Sequence, residues 1–178
     1  VLDAAYAEYV VTPDYDPGVE LVRKASNVIM TRTFSKIFAL ASLRIGWAYG
    51  PTEIIDVLDR IRPPFNVSTP AIAAGIAALA DTEHTARSRD LNAELLPWFM
   101  EETKALGLTV NPSVGNFVIV RFDSDIHAEA AYRFLFERGI VTRRVGGYGL
   151  PEWVRISIGR RDEMRDVLEA LRAFVVAA

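Results

Sequence analysis

Thr31-Arg32-Thr33-Phe34-Ser35-Lys36-Ile37-Phe38-Ala39-Leu40-Ala41-Ser42-Leu43-Arg44-Ile45-Gly46 is the stretch on which the reading of this chain turns. A β-rich run, Asn27 to Met30, leads into it, and a second, Arg44 to Tyr49, leads out. Three hydroxyl side chains lead from the first run to one lysine, and the arginine eight residues after that lysine opens the second run. The charges of the segment are Arg32, Lys36 and Arg44, with no Asp or Glu among them. A lysine without a carboxylate close in sequence is neither half of a local ion pair nor part of a mixed, solvated face. Its amine is therefore read as chemistry rather than as surface charge.

The surroundings are those of a globular chain. The 178 residues are 51% hydrophobic and 24% charged, enough for one large or two small packed units. A formal charge of −3 argues against nucleic-acid binding, which shows as a basic domain. The absence of cysteine excludes disulfides and thiolate metal sites and fits a reducing, cytoplasmic compartment. His84 and His127 have no ligand spacing, so a metal site is not expected. The apolar run Ala71 to Ala80 is too short for the roughly 20 residues that span a bilayer.

Working outward, Val1 to Tyr6 reads as a buried strand, and Val11 to Gly18, with its prolines and aspartates, as a loop. Glu20 to Ala25 is a short helix. Pro51 opens a helix to Ile61 that Pro63-Pro64 stops, and Ser68-Thr69-Pro70 caps an Ala-rich helix to Ala80. Thr82 to Leu106 has a helical period that Pro97 is expected to kink or restart. Beyond it come strands at Leu108 to Val110, Asn116 to Phe122, Ile140 to Arg143 and Trp153 to Ile158. Helices follow at Ile126 to Arg138 and Arg161 to Val176. The expected class is α/β. Residues 1–81 read as β/α layers of one domain, and residues 82–178 as a connecting helix with a small α+β domain.

Asp3 and Tyr6 stand at the carboxyl end of the first strand, where open α/β sheets collect ligand-binding groups. Asp-x-x-Tyr, then Thr-x-Ser-Lys, then Arg eight residues after the lysine, in that order, resembles the fold-type I aminotransferases that depend on pyridoxal 5′-phosphate. The resemblance implies that the first domain is the carboxyl part of the large cofactor-binding domain. It implies that Lys36 joins the cofactor aldehyde as a Schiff base, which needs a neutral amine and so a pKa depressed from about 10.4. Arg44, with Thr33 and Ser35, would hold the cofactor phosphate. Asp3 would face the pyridine nitrogen and keep it protonated, a charge pair worth roughly 4 kcal/mol near 4 Å at an effective dielectric of 20. Tyr6 would hydrogen-bond the phenolic oxygen. Lys36 would then move a proton between the substrate α-carbon and the cofactor C4′.

Trp153-Val154-Arg155-Ile156-Ser157-Ile158-Gly159 sets an arginine inside an apolar strand, which is costly unless an anion meets it. In the resembled family this position takes the substrate α-carboxylate; pairing with Glu152 is the structural alternative. Upstream, Arg143-Arg144 followed by Gly146-Gly147-Tyr148-Gly149-Leu150-Pro151 is similar to histidinol-phosphate aminotransferases. Arg143 aligns with the phosphate-meeting position, and either it or Arg144 points inward. The implied reaction moves an amino group between histidinol phosphate and 2-oxoglutarate, in histidine biosynthesis. Alternatives are an aromatic aminotransferase, a phospho-amino-acid decarboxylase, or a fragment without activity of its own.

The sequence departs from the pattern at Ala4, often glutamate, and at Ser42, usually glycine, where it would restrict the turn. The likeness spans the chain but corresponds to the second half of the family's length, so the chain is expected to be the C-terminal part of something longer. The family's glycine-rich phosphate cup and ring-stacking aromatic would lie upstream. A homodimer is implied, with the Ala-rich helix and Pro63-Pro64-Phe65-Asn66 as interface pieces. His84 and His127 read as surface residues, and Trp47, Trp98 and Trp153 as packing residues.

Overall fold

The computed structural model of the protein describes residues 1–177. The chain forms two compact units, Val1–Arg89 and the residues from Asp90 onward. In the first, β1 (Leu2–Asp3), α1 (Val19–Lys24), β2 (Met30–Thr33), β3 (Gly46–Tyr49), α2 (Thr52–Ile61) and α3 (Thr69–Ala80) follow in order. β1 pairs parallel with β2, and β2 pairs antiparallel with β3, giving a mixed sheet with β2 at its centre. Its small core joins Ala4, Ala7, Val22 and Met30.

The strand expected at Asn27 to Met30 lies three residues later, with Met30 as its first residue. Thr31 and Thr33 are β-branched and suit a pleated strand as well as the aliphatic residues before them. Pairing then decides the register, Leu2 opposite Met30 and Thr33 opposite Gly46. Gly46 is required there: a Cβ at this position would lie 2.6 Å from the Arg32 carbonyl oxygen. Ser68 caps α3 as expected, its hydroxyl accepting from the Ala71 amide at 3.3 Å.

Helix α4 (Thr82–Ala105) starts in the first unit and continues into the second. Pro97 neither ends nor restarts it. Pro97 is exposed, so the carbonyl left without an amide partner lies on a helix face that water reaches. The second unit adds β4 (Thr109–Val110), β5 (Phe117–Arg121), α5 (Asp125–Phe136), β6 (Arg143–Arg144), β7 (Trp153–Ser157) and α6 (Arg161–Ala177). The four strands form an antiparallel sheet in the order β4-β5-β7-β6.

One sheet face, carrying Val118, Val120, Val154 and Ile156, packs with Phe99, Leu135, Met164 and Leu171 in a closed core. Full burial of each such side chain is worth about 1.5–3 kcal/mol. The opposite face carries Phe117, Ile119, Trp153 and Arg155, because strand side chains alternate. That alternation brings Arg155 out of the core. No helix among the described residues is long and apolar enough to cross a membrane.

Candidate active site

The lysine segment is the connection between β2 and β3. It folds back on itself through backbone bonds: the Phe34 amide donates to Ile45 O at 3.1 Å, and the Leu40 amide to Phe34 O at 3.0 Å. Phe34 and Ile37 are buried and anchor it, while Lys36 between them stays half-buried. Two non-glycine residues hold left-handed backbone, Ala39 at φ 58° and Arg44 at φ 50°. Such conformations cost of order 1–3 kcal/mol and persist where the surroundings enforce them. Ser42 sits in the 3₁₀ turn Ala41–Leu43, a conformation open to serine, so the missing glycine leaves the turn intact.

Lys36 Nζ stands 5.0 Å from the centroid of the Tyr6 ring and has no hydrogen-bond or ion-pair partner among the described residues. Ser35 Oγ accepts from Arg44 Nη1 at 3.3 Å, and the same Nη1 donates to Ala41 O at 2.7 Å. Thr33 Oγ1 accepts from the Ser35 amide at 3.0 Å. Each hydroxyl thus spends an acceptor position inside the protein and keeps its own proton to donate. Arg44 keeps Nη2 and Nε, and its side chain is exposed.

Asp3 is next to this loop in the sheet, paired in register with Thr31. It is exposed, and its Oδ1 accepts from the Ala5 amide at 3.0 Å. Burial pushes the neighbouring Tyr9 phenol above its ordinary value, with Tyr6 and Glu8 adding to the effect. Asp3, Tyr6, Thr33, Ser35, Lys36 and Arg44 therefore lie on β1, the turn after it, β2 and the connection that follows β2, all within the first unit.

Arg143 and Arg155 belong to the second unit and face each other across β6 and β7. Directly opposed like charges destabilise a strand pair. Arg155 does not pair with Glu152, which turns to Arg121 at 3.5 Å. Its guanidinium lies 5.0 Å from the Phe117 ring centroid, and its buried Nε has no hydrogen-bond partner. Arg143 is exposed and donates from Nη2 to the Tyr148 hydroxyl at 3.2 Å.

Arg144 is used differently. It donates to Glu129 Oε2 at 2.6 Å, to Pro151 O at 2.5 Å and to Asp125, fastening the glycine-rich loop to α5. The Arg133 hydrogen bond, then the charges of Arg133 and Arg144, hold the Glu129 carboxyl below its ordinary pKa. Arg144 is structural, which leaves Arg143 as the member of the pair open to a ligand.

Sequence reading missed three residues. His84 is not a free surface residue: its Nε2 reaches Ile37 O at 3.1 Å, beside Lys36. His127 lies between the Phe122 and Phe174 rings, at 5.6 and 5.1 Å, rather than on an open polar face. Tyr148, the third, could have been singled out as an aromatic flanked by glycines five residues after Arg143.

The model of the family described as aminotransferase class I and II matches residues 1–171. The chain belongs to that family. Among curated aminotransferases it is 49% identical, over 99% of its own length, to the histidinol-phosphate aminotransferase of Paramagnetospirillum magneticum. It is 52% identical, over 96%, to that of Rhodospirillum centenum. It covers 49% and 48% of those two proteins, so the chain spans about half the length of the curated relatives it matches. The crystal structure of histidinol-phosphate aminotransferase from Sinorhizobium meliloti in complex with pyridoxal-5′-phosphate superposes with a TM-score of 0.87 at 33% identity, covering 98% of this chain and 48% of that one. The enzyme of the same name from Clostridium acetobutylicum gives 0.90 at 26% identity, covering 99% and 54%.

Proposed function

We propose that this aminotransferase-family chain carries the lysine half of a pyridoxal-phosphate site. In the complete polypeptide, that site would transfer an amino group between histidinol phosphate and 2-oxoglutarate. The observation that carries the reading is Lys36: a half-buried amine, without an acid partner, on a strained loop beside a guanidinium and two hydroxyls with protons to donate. This donor set fits the cofactor. Arg44, Ser35 and Thr33 suit a phosphate, Lys36 an aldehyde, and Asp3 a ring nitrogen that must stay protonated. When bound, the cofactor supplies an electron sink for the carbanion that forms at the substrate α-carbon.

The residues of the chain do the rest. Arg44 would hold the phosphate end, beside the Ser35 hydroxyl that it already meets. Tyr6, against the Lys36 amine, orients the phenolic side of the ring. Lys36 Nζ would take the proton from the substrate α-carbon, acting as general base and then as acid. Arg155, with its orphaned Nε, receives the α-carboxylate of glutamate, and Arg143 the phosphate of histidinol phosphate. Two cations opposed across β6 and β7 suit a pair of substrates that present different anions to one place.

Homodimer formation accompanies this reading. Phe65 is 99% exposed with φ 55°, and Ile61, Ile72, Ile76 and Leu79 are exposed around it in sequence on α2 and α3, as expected of an interface. Cytoplasmic placement rests on the cysteine-free composition.

The test loads the complete polypeptide with cofactor, records its visible absorbance, and reduces it with borohydride before peptide mapping. The mass increment is expected on the peptide containing Lys36, and Lys36→Ala should lose both label and amino transfer. A label on another lysine, or turnover by Lys36→Ala, would refute the assignment.

A further inference from the structure

We infer that Tyr148 is a specificity-determining residue: its hydroxyl is a second donor, beside Arg143, to the phosphomonoester of the substrate. This rests on the reading of Arg143 as the phosphate-meeting arginine. Tyr148 closes the 3₁₀ turn Gly146–Tyr148 and is followed by Gly149 in left-handed backbone at φ 78°. Its amide donates to Val145 O at 2.9 Å, and the Gly149 amide donates to Gly146 O at 2.9 Å, so the turn has a fixed shape. Arg144 then ties the loop to α5 through Pro151 O. An exposed tyrosine on a mobile glycine loop would carry no argument; this one is on a loop held at both ends.

The hydrogen bond between the two side chains has a direction. A guanidinium only donates, so Arg143 Nη2 gives its proton to the Tyr148 oxygen at 3.2 Å. The hydroxyl proton of Tyr148 is then committed to nothing inside the pair. The ring also lies 5.8 Å from the Arg143 guanidinium carbon, which restrains the long arginine side chain. Polarised by the cation, the phenol becomes a stronger donor, and the acceptor must be an anion that Arg143 itself attracts. A phosphomonoester, with three acceptor oxygens, can take both groups at once. The unphosphorylated alcohol offers one neutral hydroxyl oxygen, a weaker acceptor for either donor. Tyr148 thus doubles the donors at the position where phosphorylated and unphosphorylated substrates differ.

The experiment measures dissociation constants by titration calorimetry on the cofactor-loaded complete polypeptide, using histidinol phosphate and histidinol. Wild type is compared with Tyr148→Phe, which keeps the ring, and with Arg143→Gln. Tyr148→Phe is expected to weaken histidinol phosphate about tenfold, the loss that removing one hydrogen bond to a charged group produces, and to change histidinol less than twofold. Arg143→Gln should show the same selectivity, more strongly. If Arg143→Gln is selective and Tyr148→Phe is not, the role given to Tyr148 is wrong while the phosphate reading stands. If Tyr148→Phe weakens both ligands equally, the residue is structural and the inference falls. If neither variant discriminates, the phosphate reading itself falls.

Discussion

Arg144→Ala removes three hydrogen bonds at once, to Glu129, to Asp125 and to the Pro151 carbonyl. The two carboxylate pairs are partly exposed and are worth about 0.2–1 kcal/mol each. The bond to Pro151 O adds roughly 1 kcal/mol, and the arginine stem, only 20% exposed as part of its side chain, adds packing. Glu129 keeps Arg133 at 2.7 Å, so no carboxylate is stranded and the loss stays near 2 kcal/mol. In a unit of this size 1 kcal/mol shifts Tm by about 4–8 °C, so the transition of the second unit should fall by roughly 10 °C. Arg143→Ala breaks one exposed contact with Tyr148 and should move Tm by less than about 2 °C. Differential scanning calorimetry of the two variants at low and at high salt reads both numbers. Salt should narrow the gap between wild type and Arg144→Ala, because exposed pairs are screened. A fall for Arg143→Ala as large as that for Arg144→Ala, or an Arg144→Ala protein that melts with wild type, would refute the division of labour between these neighbours.

Other consequences are as concrete. Gly46→Ala drives a Cβ toward the Arg32 carbonyl oxygen and should destabilise the first unit by about 1–3 kcal/mol, read as a lower urea midpoint at unchanged m. His84→Ala takes away the bond to Ile37 O and should cost about 1 kcal/mol locally. Faster amide exchange at Ala39 and Leu40, with α5 and α6 unchanged, is the expected signature. Glu129→Gln probes pH. The folded-state pKa of Glu129 is lowered, so its stabilising contribution is complete above the ordinary carboxylate value and is lost as pH falls through the lowered one. Unfolding of Glu129→Gln should therefore differ from wild type at neutral pH and converge with it once pH falls below that lowered value; a gap that persists in acid would contradict this.

What could be read in advance was local. The cap at Ser68 and the proline start at Pro51 are written in adjacent residues and the order Asp3, Tyr6, Thr33, Lys36, Arg44 in spacing, and the structure sets these candidate residues near strand ends and on the loop between β2 and β3. What escaped depended on pairing or distance. The start of β2 at Met30 follows from its register with Leu2, which periodicity over Asn27 to Thr33 does not contain. His84 meets Ile37 across 47 positions of sequence, and no local signal marks that contact. Arg143 and Arg144 look alike until β6 assigns them to opposite faces of a two-residue strand. Pro97 does not restart the helix, which runs through it from Thr82 to Ala105.

A physical distinction separates the cations of this chain, and it is independent of any motif. Arg32 meets Glu8, Arg121 meets Glu152, Arg133 and Arg144 meet Glu129, and Arg161 meets Glu94. Each has a carboxylate, and all but the Arg133 pair, which lies within α5, join residues distant in sequence. Lys36, Arg44, Arg143 and Arg155 have none: their neighbours are a phenol ring, a serine hydroxyl, a tyrosine hydroxyl and a phenylalanine ring. Lys36 and Arg155, partly buried without an acid, raise the energy of the folded chain, and opposing Arg143 to Arg155 raises it further. A fold gains nothing from that arrangement unless anions arrive to complete it. These four are among the cations without an acid partner, and the Lys-x₇-Arg spacing and the strand arginines single them out as candidate ligand-binding groups. The electrostatic criterion is met by other, solvated cations too, so it is the sequence order that selects these four and their surroundings that show what each is free to bind.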